Sequence, residues 1–83
     1  MPDILIYSSK RCGYCHAATD LLDRLGLAYR EIDVTDDTEK RQEMLQAAHG
    51  RRSVPQIFID GQGIGGYTDL YRYIAENRYI SPD

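Results

Sequence analysis

Ile4-Leu5-Ile6-Tyr7, then Cys12-Gly13-Tyr14-Cys15, then Ala17, Ala18, Leu21, Leu22 and Leu25 make the stretch that decides the fold. The first four residues read as a short buried strand. The last five recur at helical spacing, and Gly26 supplies the stop. The only two cysteines of the chain lie at the junction. Cys12 therefore sits at or just before a helix N-terminus, where unpaired backbone N–H groups and the positive end of the helix dipole stabilise a thiolate. Lys10 and Arg11 add positive charge beside it. Cys15, one turn further in, has more cover and less of that help. The expected division is that Cys12 attacks and Cys15 resolves, as thiol–disulfide exchange requires.

Two other uses of such a pair are open to it. Half of a zinc site would need nitrogens from His16 and His49, but there is no second cysteine pair, and His16 follows Cys15 directly. A permanent structural disulfide closing so short a loop gains little from chain entropy. A redox site is preferred to either, without a tightly bound metal or organic cofactor.

Eighty-three residues make one compact domain, spanning 1–83, with no room for a second core and no spare disulfides. The formal net charge is -3, and the basic residues are not massed into one tract, which argues against nucleic acid as a partner. Met1-Pro2-Asp3 leads straight into the first strand, with neither a charged n-region nor a long apolar segment. The expectation is a cytoplasmic protein with no signal peptide or membrane span.

Further along, Tyr29 to Val34 alternates apolar and polar residues as a strand does, completing a β-α-β unit whose two strands should be parallel. Asp36 and Asp37 can cap a second helix from Thr38 to His49, with Met44, Leu45 and Ala48 inward and Gly50 past its end. Val54-Pro55-Gln56-Ile57-Phe58-Ile59 reads as a strand, Asp60-Gly61 as a tight turn, and Gln62 to Ile64 as its antiparallel partner. A third helix should begin near Thr68 and carry Leu70, Tyr71, Tyr73 and Ile74, leaving Tyr79 to Asp83 loosely packed. The order β-α-β-α-β-β-α implies an α/β fold, with one four-stranded mixed sheet flanked by three helices.

Three segments together resemble one family. Cys12-Gly13-Tyr14-Cys15, Ser53-Val54-Pro55-Gln56-Ile57-Phe58-Ile59-Asp60-Gly61 and Ile64-Gly65-Gly66-Tyr67-Thr68-Asp69-Leu70 are similar, in order and spacing, to a glutaredoxin of the small bacterial dithiol type. The resemblance covers nearly the whole chain. It implies a thioredoxin-like fold and a glutathione-dependent disulfide oxidoreductase that reduces protein–glutathione mixed disulfides and protein disulfides. Its partners would be glutathione, as cosubstrate, and glutathionylated or disulfide-containing proteins.

The resemblance also assigns residues. Pro55 would be cis and lie against Cys12, so that the Val54 backbone pairs with the cysteinyl part of glutathione like a neighbouring strand. Gly66, Thr68 and Asp69 would take the γ-glutamyl end, the helix N-terminus meeting its carboxylate and Asp69 its ammonium. Arg52 and Gln42 match positions that contact the glycine carboxylate, with Arg51 and Arg41 as substitutes. Lys10 and Arg11 would contribute charge, and Tyr14 would wall the thiol groove.

Gly13 stands where many dithiol members have proline, and Ser9 where many have lysine. The first departure is shared with relatives that bridge a 2Fe-2S cluster between two subunits, using the first cysteine and two glutathiones. A cluster-binding dimer with Cys12 as ligand is therefore the alternative to a monomeric oxidoreductase.

Overall fold

The structure, a computed structural model, describes residues 2–77, so the tail from Tyr79 to Asp83 lies outside the described residues. Among the described residues the elements run β1 (Ile4–Ser8), α1 (Gly13–Arg24), β2 (Arg30–Asp33), α2 (Thr38–Ala47), β3 (Gln56–Ile59), β4 (Gln62–Gly65) and α3 (Tyr67–Glu76). The strands form one sheet in the order β2-β1-β3-β4. β1 and β2 are parallel, with Leu5 opposite Arg30, while β1–β3 and β3–β4 are antiparallel. This is the mixed sheet that the order of apolar runs predicts.

The two-residue period of the strands divides the core between the sheet's faces. Ile4 and Ile6 of β1 and Ile57 and Ile59 of β3 join Ala18 and Leu22 of α1 and Leu70 and Ile74 of α3. Leu5, Tyr7 and Phe58 point the other way and pack with Val34, Met44 and Ala48 beneath α2. β3, buried along its whole length, is the strand both layers share. Tyr7 also ties α2 to the sheet, since its hydroxyl donates to Glu43 Oε2 at 2.7 Å. Burial, reinforced by the Glu43 carboxylate, pushes the Tyr7 phenol up to about 12. No helix among the described residues is long and apolar enough to cross a membrane.

Turn chemistry accounts for the connections. Asp37 caps α2 by accepting from the Lys40 N–H at 2.9 Å. Asp60 and Gly61 both take positive φ, 53° and 82°, the conformation of a two-residue hairpin turn matched to strand twist. Gly26, at φ 69°, follows the end of α1, and the Leu27 N–H returns to the Leu22 carbonyl at 3.0 Å.

Several boundaries differ from the sequence expectation. β3 begins at Gln56 rather than Val54, because Pro55 has no N–H to give a ladder; the Val54-Pro55 bond is cis. α2 ends at Ala47 rather than His49, since His49 and Gly50 turn to φ 55° and 88° and the Gly50 N–H closes on the Leu45 carbonyl at 2.7 Å. Leu45 is only half-buried, so the inner face of α2 is Met44 and Ala48. α3 starts one residue early, at Tyr67, with Gly66 as its N-cap. β2 keeps only Arg30–Asp33, although the N–H of the buried Val34 still reaches the Ser8 carbonyl at 2.8 Å.

Candidate active site

β1 ends at Ser8, and the chain turns through residues 9–11 before α1 begins at Gly13. Cys12 is the N-cap of that helix: its Sγ accepts the Cys15 N–H at 3.0 Å, so the sulfur occupies the place where a capping oxygen usually sits. No acidic side chain occupies the first turn to oppose a negative sulfur there. Cys12 and Cys15 are joined as a disulfide. Cys15 is 2% exposed, whereas Cys12 is partly open, so an incoming sulfur meets Cys12 first.

The cis Val54-Pro55 segment lies across from this helix start. Cys12 Sγ is 3.5 Å from the Val54 carbonyl oxygen, although the two residues are 42 positions apart. Tyr14, Val54, Pro55, Gly66, Thr68 and Asp69 border one groove of about 170 Å3. Six of the residues singled out in the sequence thus come together beside the disulfide. Ser53 and Tyr67 line the same groove, and sequence reasoning does not single them out. Position inside the Gly65-Gly66-Tyr67-Thr68-Asp69 run was the available signal for Tyr67.

At the far side of this groove, α3 begins. Asp69 Oδ2 accepts the Gly66 N–H at 3.0 Å, one arm of a capping box, which holds the carboxylate at the helix start. Gly65 takes φ 113°, and a Cβ there would run into the Asp69 carboxylate. Glycine at this position therefore permits both the backbone path and the seating of Asp69.

The remaining singled-out residues lie elsewhere. Gln42 and Arg52 share a separate groove of about 300 Å3 with Arg41 and Leu45. Arg41 is tied inward, donating to the Val34 carbonyl at 3.2 Å, while Gln42 and Arg52 are exposed. Arg51 faces a different hollow of about 400 Å3, with His49, Gln56 and Gln62. Lys10 borders another hollow with His16, Glu31 and Asp33, and Arg11 is exposed. The Thr35 hydroxyl and N–H hold the Asp33 carboxyl below its usual range, with a smaller contribution from the Lys10 charge. Among the described residues, no group of three or more His, Cys, Asp or Glu side chains is arranged to hold a metal ion.

These elements carry the chemistry of thiol–disulfide exchange: a capped, accessible sulfur, a sheltered second sulfur, and a groove into which a substrate sulfur can be delivered. Comparison with known proteins gives the same class. Residues 4–64 match the Glutaredoxin family model. Glutaredoxin 3 of Escherichia coli (strain K12) is 45% identical over 71 residues, which cover 86% of this chain and 84% of that protein. The buckwheat glutaredoxin–glutathione complex superposes with a TM-score of 0.79 at 28% identity, covering 94% of this chain and 73% of that one. Reduced Escherichia coli glutaredoxin superposes with a TM-score of 0.78 at 32% identity, covering 94% and 99%. With its thioredoxin-like fold and its joined Cys12 and Cys15, the chain belongs to the glutaredoxin family of glutathione-dependent disulfide oxidoreductases.

Proposed function

We propose that this chain removes glutathione from protein–glutathione mixed disulfides and reduces protein disulfides, with Cys12 as nucleophile and Cys15 as resolving thiol. The observation that carries this most directly is Cys12 Sγ at the N-cap of α1, 3.0 Å from the Cys15 N–H and 3.5 Å from the Val54 carbonyl. A sulfur held there has a backbone donor for its negative charge and a strand-like backbone beside it.

In the first reaction the Cys12 thiolate attacks the glutathione sulfur, and the protein thiolate leaves and takes a proton. A second glutathione thiolate then attacks the glutathione sulfur on Cys12, releasing oxidised glutathione and the Cys12 thiolate. In the second reaction the Cys12 thiolate attacks one sulfur of a substrate disulfide, breaking it and expelling the other as a thiolate that takes a proton. The Cys15 thiolate then attacks the Cys12 sulfur, releasing the second substrate thiol and leaving the Cys12–Cys15 disulfide. Two glutathiones restore the dithiol and depart as one oxidised glutathione, so electrons balance in both cases.

Glutathione would lie with its cysteinyl backbone along Val54 and Pro55, and its γ-glutamyl end at Gly66, Thr68 and Asp69. The α3 N–H groups suit that end's carboxylate, and Asp69 suits its ammonium. The grouping of Gln42 with Arg52 supports these two, rather than Arg51, for the glycine carboxylate. Lys10 and Arg11 act as a diffuse positive field rather than as walls of the groove. The protein would work as a monomeric single domain, 1–83, in a reducing cytoplasm. The alternative, a dimer bridged by a 2Fe-2S cluster, would take Cys12 from each chain and two glutathione sulfurs, so the burial of Cys15 leaves its ligand set intact.

The test is glutathione-dependent reduction of a small glutathione mixed disulfide, coupled to glutathione reductase and NADPH. Activity that vanishes in Cys12→Ser and persists in Cys15→Ser supports the assignment. An inactive wild type sinks it.

A further inference from the structure

The exposed large hydrophobic side chains among the described residues are Tyr14 and Tyr71, at 67% and 50%. They are not isolated. Tyr67 stacks on Tyr14, with centroids 6.1 Å apart and planes 26° apart, and meets Tyr71 at 6.5 Å and 53°. Because Tyr67 and Tyr71 are one helical turn apart on α3, the three rings form a continuous run. It starts between the two cysteines and leads away from them. Contiguous exposed aromatic surface of this kind favours contact with a partner, since each ring offers a large apolar face at little cost in side-chain entropy.

The groove beside the disulfide is lined by Tyr14 and Tyr67 but not by Tyr71. A ligand confined to that groove leaves Tyr71 untouched. A polypeptide attached through its own sulfur to Cys12 must continue past the groove, and the direction follows from the proposed placement of glutathione, on which this inference rests. The γ-glutamyl group precedes the cysteine of glutathione and sits at the start of α3. Residues preceding a substrate half-cystine therefore head toward Tyr67 and Tyr71. The ring spacings of 6.1 and 6.5 Å limit the span from Tyr14, beside Cys12, to Tyr71 to about four residues of extended chain at ~3.3 Å each.

We propose that Tyr14, Tyr67 and Tyr71 form a docking track for polypeptide disulfides, in which Tyr71 receives an apolar or aromatic side chain about four residues before the attacked half-cystine. Tyr71 is then a specificity residue for polypeptides and has no part in handling glutathione itself.

The test uses two disulfide-linked peptide dimers that differ only in Phe or Gly four residues before the cysteine. Pre-reduced protein is mixed with each in a single turnover without glutathione, and the released thiol is followed by chromatography. A small glutathione mixed disulfide is assayed separately. Wild type is expected to half-saturate at about fivefold lower concentration with the Phe peptide. Tyr71→Ser should erase that preference while Tyr71→Phe keeps it, with turnover of the small disulfide unchanged in both. No Phe preference in wild type overturns the proposal, as does an equal loss by Tyr71→Ser on all three substrates. A wild-type dimer that Tyr71→Ser dissociates, seen by sedimentation, also overturns it by making the track a self-interface. A wild type that fails on the small mixed disulfide but keeps the Tyr71-dependent peptide preference defeats the glutathione placement and supports the track.

Discussion

The backbone N–H of Cys15 donates to Cys12 Sγ across 3.0 Å, so the second cysteine helps cap the first through its main chain while its own sulfur stays buried. Replacing the Cys15 side chain leaves that N–H in place. Cys15→Ser is therefore expected to keep reducing glutathione mixed disulfides and to lose intramolecular resolution, trapping substrates on Cys12. Mass spectrometry of the reaction with a protein disulfide should show a stable mixed disulfide in Cys15→Ser and none in Cys12→Ser.

Asp69 separates two roles that one substitution can divide. Its Oδ2 accepts the Gly66 N–H at 3.0 Å, and its charge faces the proposed ammonium site. Asp69→Ala should cost about 1 kcal/mol in urea unfolding through the lost cap. Asp69→Asn keeps an acceptor and should recover most of that stability, yet KM for glutathione should rise in both. If KM recovers along with stability in Asp69→Asn, the carboxylate is a cap and nothing more.

Arg52 and Arg51 are adjacent in sequence but face different hollows. Arg52→Ala should raise KM for glutathione about threefold with kcat little changed, and the effect should shrink in high salt because the site is exposed. Arg51→Ala should be close to wild type. A reversed pattern would move the glycine end of glutathione to the other hollow.

Tyr7 predicts an alkaline limit to stability. Its hydroxyl is hydrogen-bonded to Glu43 and raised from 10.0 to about 12 in the fold. Below the unfolded value both states hold the proton and the contribution is complete. As pH rises beyond that value, the unfolded chain ionises first, and the contribution is lost on the way up through the folded value. Urea midpoints of wild type should fall more steeply between pH 9 and 11 than those of Tyr7→Phe, a difference of order 1 kcal/mol. Parallel slopes would show that the Tyr7–Glu43 contact does not persist in solution.

Much of the fold is local and was legible for that reason. Alternation in Ile4-Leu5-Ile6-Tyr7, helical spacing from Ala17 to Leu25, Asp37 before α2 and Asp60-Gly61 in the hairpin each act on residues a few positions away. The placement of Cys12 at a helix start needs only its immediate neighbours. Boundaries were less legible where a backbone group sought a non-local partner. Val54 and Pro55 look like strand by composition, yet the missing N–H delays β3 to Gln56. Leu45 looks internal by spacing, yet it is half-buried and borders a groove with Arg41, Gln42 and Arg52.

The sequence by itself determined the order of elements, the identity of the reacting pair and the family resemblance, because those depend on periodicity and on motifs a few residues long. Only the tertiary structure decided which distant faces meet. It set Val54 against Cys12, grouped Gln42 with Arg52 instead of Arg51, and stacked Tyr67 between Tyr14 and Tyr71. Such meetings follow from how the helices settle on the two faces of one twisted sheet, a property of the summed packing of both cores that no single segment encodes.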